Sequence, residues 1–156
     1  MIYLVRMDEE IGIEQAIENS NTRFYKAFES LSIEKMEEVW KHSDNAICIH
    51  PGWVMFTGWT AIRESWTRIF ENTRMIKFFI TNTKVRTFEN IAIVVCFENI
   101  DTVIDNENSI RMGIIATNIF EQQNVKNNNN NYNKIWLMIH HHGSTVANYI
   151  PPNVSV

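Results

Sequence analysis

The chain has 156 residues, a formal net charge of −4, 45% hydrophobic residues and 12% aromatic residues. This length suits one domain with a single core, and the composition is that of a folded globular protein rather than a disordered or membrane protein. An acidic chain offers no basic surface to the phosphates of nucleic acid, so we expect no nucleic-acid partner.

Two helices are predicted at the start of the domain. Apolar residues recur every three or four positions over residues 8–31, which places one apolar stripe on a helix. Ser32 can cap a second helix, predicted over residues 33–42, in which Trp40 faces the core. The apolar run at residues 1–5 is too short for a signal peptide, and no stretch reaches the roughly 18 apolar residues of a membrane span. We therefore expect a cytoplasmic protein with no membrane partner.

After the second helix, the spacing of the apolar residues changes from that of a helix to that of a strand. Two short β-type runs, 46–50 and 53–57, each end at a glycine-containing turn, and helical spacing returns over residues 60–72. Four long strands follow, separated by short polar breaks that suit hairpins: 75–88, 91–104, 109–121 and 134–145. The prediction is an α+β fold in one domain, 1–156 with its core at about 8–146, in which three helices pack on one face of a mainly antiparallel sheet whose long strands pair in sequence.

The connection over residues 122–133 is rich in asparagine, with five in succession at 127–131. Polar residues at this position cannot join a core, so the segment is predicted to be a solvated hairpin loop. The pattern assigns it no function.

The two cysteines, Cys48 and Cys96, each lie in an apolar run that is predicted to be a strand. We expect buried free thiols in a reduced compartment, with a disulfide between them as the alternative. Neither has a motif partner for nucleophilic chemistry, so both are interpreted as packing residues.

Histidine and tryptophan residues gather in two regions. Strict alternation along the last strand puts His140 and His142 on one face, roughly 7 Å apart, and His141 on the other. The second region holds His50 and Trp53, followed by Trp66. We predict that these three residues face His140 and His142 across one pocket, with His141 outside it.

Four ordered blocks resemble those of a SnoaL-like subfamily of the nuclear-transport-factor-2-like superfamily. They are the HPGW of 50–53, the Gly58 and SWTRIF of 58–70, the ATNIF of 116–120, and the WLMIHHHGS of 136–144. The last block is also similar to the association domain of calcium/calmodulin-dependent kinase II. The resemblance spans about residues 13–144 and implies a cone-shaped roll of three helices on a curved sheet, commonly a homodimer through the sheet.

The resemblance leaves function open, because the superfamily includes isomerases, cyclases, dehydratases, transport factors and non-catalytic assembly domains. One hypothesis is a homodimeric binding or assembly domain that holds a small apolar or weakly anionic ligand and needs no cofactor. Arg111 resembles in position an arginine near the pocket mouth of the kinase association domain. The candidate ligand-binding residues are Trp53, Trp66, Asn118, Arg111 and His142.

The alternative is an isomerase- or cyclase-like enzyme in which His50 or His140 abstracts a proton next to a carbonyl group, with Asn118 as an oxyanion donor. Against it, the motif blocks contain no well-placed carboxylate, and Glu98 and Asp101 lie on opposite faces of one strand, so at most one of them faces the pocket. A zinc site of three histidines, His50, His140 and His142, is chemically compatible with the spacing. The relatives are generally metal-free, so no metal is expected.

Overall fold

Three helices pack on one face of a six-stranded sheet in the computed structural model, which describes residues 2–104 and 108–152, with side chains from residue 12 onward. The predicted α+β class is confirmed, with helices first and long strands after them. The elements are α1 (Ile2–Ser30), α2 (Ile33–Val39), β1 (Ile47–Ile49), β2 (Met55–Thr57), α3 (Trp59–Glu71), β3 (Met75–Phe88), β4 (Ile91–Val103), β5 (Ser109–Lys126) and β6 (Tyr132–Thr145).

Helices α1 and α3 meet in a cluster of aromatic rings. Phe24 and Phe28, one turn apart on α1, lie edge-on to Trp66 of α3 with ring centroids 5.8 and 4.7 Å away. Each ring buries a large apolar area, so this cluster helps to hold α1 against α3. Between α1 and α2, the Ser32 hydroxyl accepts a hydrogen bond from the Lys35 N–H at 3.3 Å, which confirms the predicted cap.

The sheet has the strand order β2-β1-β6-β5-β4-β3. The long strands pair antiparallel with their neighbours along the chain, as predicted, but β1 pairs parallel with β6 and places Cys48 beside His141. The sheet is thus mainly antiparallel, as predicted, and the sequential pairing predicted for the long strands does not extend to β1, which lies beside β6. A pairing between the first and last strands leaves no local signal, because it depends on how the whole chain folds back.

A β-bulge in β6 reverses the direction of the histidine side chains. Ile119 pairs with His140 but the next residue of β5, Phe120, pairs with Met138, so Ile139 is an extra residue in β6. Trp136 and Met138 are buried before the bulge, and His141 and Gly143 are buried after it. The predicted alternation is therefore wrong beyond Met138: His141 faces the core, and His140 and His142 face the outer side of the sheet.

The β5–β6 turn is shorter than the predicted loop. Both strands continue into the polar segment, so the turn is confined to residues 127–131, where the side chain of Asn127 accepts hydrogen bonds from the backbone N–H groups of Asn129 and Asn131 at 3.0 Å. The ladder tolerates polar side chains here because the ends of the two strands are exposed.

Other packing predictions are confirmed in the described part of the chain. Trp40 and Trp136 lie in the core, and Cys48 and Cys96 are buried free thiols. None of the described helices is both long enough and apolar enough to cross a membrane.

A strand glycine accommodates the C-terminal segment on the outer face of the sheet. The Tyr149 ring stacks on Phe97 with centroids 6.0 Å apart, and its hydroxyl donates to Asn99 Oδ1 at 2.8 Å. A Cβ at Gly113 would lie 2.4 Å from Cδ2 of Tyr149, so any larger residue there would collide with this ring.

Candidate functional site

A buried carboxyl group lies between α1 and β4. Glu98 is 3% exposed, and the Tyr25 hydroxyl donates to its Oε1 at 2.6 Å. The same hydroxyl lies 3.2 Å from the Sγ atom of Cys96, two residues earlier on the inner face of β4. Among the described residues, Tyr25 provides the side-chain hydrogen bond to this carboxyl group. A carboxyl group placed this way is costly to ionise, because water cannot reach it.

Burial sets the acidity of this group and of its neighbours. It raises the pKa of Glu98 to about 7, while the hydrogen bond from Tyr25 acts in the opposite direction. Burial, and then the charge of Glu98, also raise the pKa of Tyr25 well above its usual value, and burial raises the pKa of the Cys96 thiol to about 11. At neutral pH, Tyr25 is therefore a neutral donor beside a carboxyl group that can gain or lose a proton.

Glu98 and Tyr25 begin a chain of hydrogen-bonded polar side chains, and Asn118 and His141 extend this polar chain across the sheet. The Asn118 Nδ2 group donates to Asn21 Oδ1 at 2.8 Å and to the Tyr25 hydroxyl oxygen at 3.1 Å. His141 Nδ1 lies 2.6 Å from Asn118 Oδ1, and burial holds the pKa of His141 well below its usual value. The ring is therefore neutral and donates from Nδ1 to the amide oxygen.

A pocket of about 430 Å³ opens between α1 and the edge strand β3. Its floor is formed by Asn21, Tyr25, Phe78 and Ile80, and more polar residues surround the mouth: Glu18, Thr22, Lys26, Glu29 and Thr83. Ile80 pairs with Glu98 across the β3–β4 ladder, so the buried carboxyl group lies directly behind the pocket wall. The volume is within the range of about 300 to 1,000 Å³ that small-molecule sites occupy.

His50 contacts both Trp53 and Trp66, but this cluster lies apart from the pocket. The His50 ring lies edge-on to both indoles, with centroids 5.4 Å from Trp53 and 4.6 Å from Trp66. Ser65 donates its hydroxyl proton to the Ile62 carbonyl at 2.7 Å, so its oxygen accepts from His50 Nε2 at 2.8 Å. Burial, with a smaller contribution from the Arg68 charge, lowers the pKa of His50 to about 4. His50 therefore acts as a neutral link between the end of β1 and α3.

The remaining predicted residues are divided between the two sides of the sheet. Asn118 is fully buried inside, whereas His140 and His142 lie outside with ring centroids 6.4 Å apart. Arg111 is also outside, in an exposed ion pair with Asp101 at 2.9 Å. The prediction of one pocket shared by all these residues is wrong, because the bulge at Ile139 turns the two histidines away from the interior.

The same division bears on metal binding. His50 lies inside the fold and His140 and His142 lie outside it, so these three imidazoles do not converge. Within residues 12–104 and 108–152, no group of three or more histidine, cysteine or carboxylate side chains is placed to hold a metal ion.

Some residues of the polar chain were not among the predicted site residues. The sequence pattern indicates some of them and not others. Asn21 and Tyr25 lie four and eight residues after the buried Ile17, on the face of α1 that the apolar stripe marks. Glu98 shares the inner face of β4 with Cys96, so strand parity indicated it. His141 alone carried no signal, because its direction depends on the bulge.

Comparisons with known proteins agree on the kind of domain. A family model described as a SnoaL-like domain matches residues 17–148. The chain is similar to the F-box protein SKIP8 of Arabidopsis thaliana, with 25% identity over 140 residues that cover 88% of this chain and 53% of that protein. The chain thus spans about half the length of this curated relative.

Two solved structures share both fold and sequence with this chain. One is a proposed dehydratase of the NTF2-like family from Streptomyces avermitilis, with a TM-score of 0.71 and 28% identity, covering 85% of this chain and 94% of that one. The other is a proposed calcium/calmodulin-dependent protein kinase type II association domain from Thiobacillus denitrificans, with a TM-score of 0.68 and 26% identity, covering 83% and 94%.

Proposed function

Since the chain belongs to the SnoaL-like domain family, we propose that it binds a small, mostly apolar carbonyl compound in the α1–β3 pocket and exchanges a proton with it through Tyr25 and Glu98. The observation that carries this proposal is the buried carboxyl group of Glu98, hydrogen-bonded to a phenol that lines the pocket. The name of the Streptomyces relative, a proposed dehydratase, is consistent with chemistry of this type.

The pocket favours a particular class of ligand. Phe78 and Ile80 offer an apolar surface to a ring or chain, while Asn21 and Tyr25 supply polar groups at the floor. At the mouth, Glu18 and Glu29 offset the charge of Lys26, which favours a neutral ligand over an anionic one. A few polar groups in a mainly apolar cavity fix the orientation of a ligand without holding it too tightly to leave.

The proton transfer divides between two side chains. Tyr25 lines the pocket and meets the substrate, so its oxygen accepts a proton from the carbon next to the carbonyl group while its own proton passes to the Glu98 carboxylate. The C–H electrons remain on the substrate as an enolate. Returning the proton to another carbon completes an isomerisation, and delivering it to a departing β-hydroxyl group releases water and completes a dehydration.

Hydrogen–deuterium exchange on 2-tetralone in D₂O, followed by proton NMR, tests the proposal. Wild-type protein should accelerate exchange at the α-carbon, increasingly as the pH rises through about 7, because Glu98 must be ionised to receive the proton. Glu98→Gln and Tyr25→Phe should each slow exchange by roughly 100-fold or more. His140→Gln is the matched control and should exchange at the wild-type rate.

The outcomes separate binding from catalysis. If 2-tetralone shifts the amide signals of Phe78 and Ile80 but exchanges no faster than in buffer, the domain binds without catalysing and the proton-transfer proposal fails. Loss of exchange in His140→Gln, with Glu98→Gln active, would instead favour the histidine as base.

We also infer that two copies pair through the outer face of the sheet. Val95 and Ile115 are 36% and 48% exposed there, and the neighbouring Ile93, Phe97 and Ile119 are only partly covered. A two-fold axis would place this apolar strip against the same strip of a second copy. Light scattering should give twice the chain mass of 18.3 kDa, and Ile115→Glu should give the monomer. A monomeric wild-type protein would overturn the inference.

A further inference from the structure

We propose that His141 is a positioning residue for the Tyr25–Glu98 pair: it fixes the orientation of the Asn118 amide, which in turn directs the Tyr25 hydroxyl proton onto Glu98. The inference rests on the proposed function, in which Tyr25 and Glu98 transfer the proton.

The Asn118 amide is held at both of its ends. Its Nδ2 group donates to Asn21 and to Tyr25, and its Oδ1 atom accepts from His141 Nδ1 at 2.6 Å. A carboxamide turned by 180° would present Nδ2 to the His141 N–H and oxygen to Asn21 Oδ1, which cannot donate to it. His141 therefore determines which end of the amide faces Tyr25.

The histidine ring is itself kept from turning. His141 is 2% exposed, and its ring packs against Phe24 and Trp66 with centroids 5.0 and 5.9 Å apart. The parallel pairing of β1 with β6 places Cys48 on its other side. Nδ1 thus stays directed at Asn118.

The orientation of Asn118 decides where the Tyr25 proton goes. The hydroxyl oxygen already accepts from Asn118, and its single proton can reach Glu98 Oε1 at 2.6 Å or the weaker acceptor Cys96 Sγ at 3.2 Å. The result is a chain in which each group donates to the next, from His141 to Glu98. Without His141, the amide can turn its oxygen toward Tyr25 and draw the proton away from Glu98.

A carboxyl ¹³C titration of Glu98 in ligand-free protein tests this chain, with Glu98→Gln used to assign the signal. His141→Phe keeps a ring of similar size but removes the donor, and Glu98 should then bind its proton about tenfold more tightly, because a hydrogen bond to the carboxylate is lost. Tyr25→Phe should act in the same direction. His141→Gln restores an N–H donor and should titrate close to wild type.

A titration that moves in Tyr25→Phe but stays at the wild-type value in His141→Phe would overturn the proposal. If near-UV circular dichroism shows that His141→Phe does not fold, His141→Leu replaces it, since it removes the same donor to Asn118 with a smaller side chain and should likewise raise the proton affinity of Glu98. An unchanged titration in that variant would equally overturn the proposal. The titration needs no ligand, so a failure of 2-tetralone exchange overturns the proposed function separately.

Discussion

Replacing Glu98 with glutamine should change how the free energy of unfolding depends on pH. The pKa of Glu98 is about 7 in the folded protein because the carboxyl group is buried, whereas a glutamate in the unfolded chain titrates near pH 4.3. Below that pH both states are protonated. Between about pH 4.3 and 7 the unfolded chain releases the proton and the folded protein retains it, so the wild type loses stability as the pH rises.

The size of the effect follows from that window. Each pH unit within it lowers the free energy of unfolding by about 1.4 kcal/mol, or about 4 kcal/mol over the whole window, of which about 3 kcal/mol falls between pH 4.5 and 8. Glu98→Gln has no titrating group at this position and keeps an oxygen for Tyr25. Its stability relative to wild type should therefore rise by about 3 kcal/mol between pH 4.5 and 8. Urea denaturation followed by the fluorescence of the five tryptophans measures both proteins at each pH.

Taking the difference between the two proteins cancels every other titration, including those of the buried histidines. A constant offset between variant and wild type reports the packing of the new amide and does not bear on the prediction. Asp101→Asn, an exposed carboxylate on the same strand, is the control and should change by less than about 1 kcal/mol across the range. A flat difference for Glu98→Gln would show that the carboxyl group titrates alike in both states, and the reasoning would be wrong.

Three further predictions concern other parts of the fold. His50→Gln should show the opposite trend. Because the pKa of His50 is about 4 in the folded protein and 6.5 in the unfolded chain, the wild type loses stability as the pH falls from 6.5. Urea denaturation should show that the variant gains about 3 kcal/mol relative to wild type by pH 4, and no gain would contradict the prediction. Gly113→Ala should cost about 1–3 kcal/mol, since its Cβ meets the rings of Tyr149 and Phe97, and Tyr149→Ala in the same chain should recover only the part of that loss due to Tyr149. Ser32→Ala should lower the free energy of unfolding by about 1 kcal/mol through loss of the α2 cap, and an unchanged melt would remove the cap as a stabilising feature.

Local periodicity and hairpin spacing were sufficient to predict the helices, the long strands and the α+β order, and the resemblance to the SnoaL-like and NTF2-like proteins is confirmed. The site was only partly predictable. Strand parity placed Glu98 and Asp101 on opposite faces, and the structure agrees, with Glu98 inside. His141 was predicted on the wrong face, because one extra residue at Ile139 reverses every later side chain and no local pattern marks it.

The position of the pocket could not be predicted from local sequence patterns. It lies between α1 and β3, which are about fifty residues apart in the chain and meet where Glu29 accepts the Phe78 N–H at 2.8 Å. The His/Trp cluster was more conspicuous in the sequence, yet it packs into the core around Trp66. The histidines and tryptophans are unusual residue types, but they form a structural cluster. The candidate site is built from residues that are common in any helix or strand.

The geometry around Glu98 does not need a charged residue to hold the fold together. A glutamine there could accept the same hydrogen bond from Tyr25, and it would avoid the stability that the carboxyl group loses above pH 4.3. A group that lowers stability, and makes no structural contact that glutamine could not make, is expected where function requires it. The variant Glu98→Gln therefore tests whether the carboxyl group is kept for function. Its stability relative to wild type should be higher above pH 7 than at pH 4.5, and it should lose the hydrogen–deuterium exchange on 2-tetralone. If it gains the stability and keeps the exchange, the buried carboxyl group has no part in the chemistry.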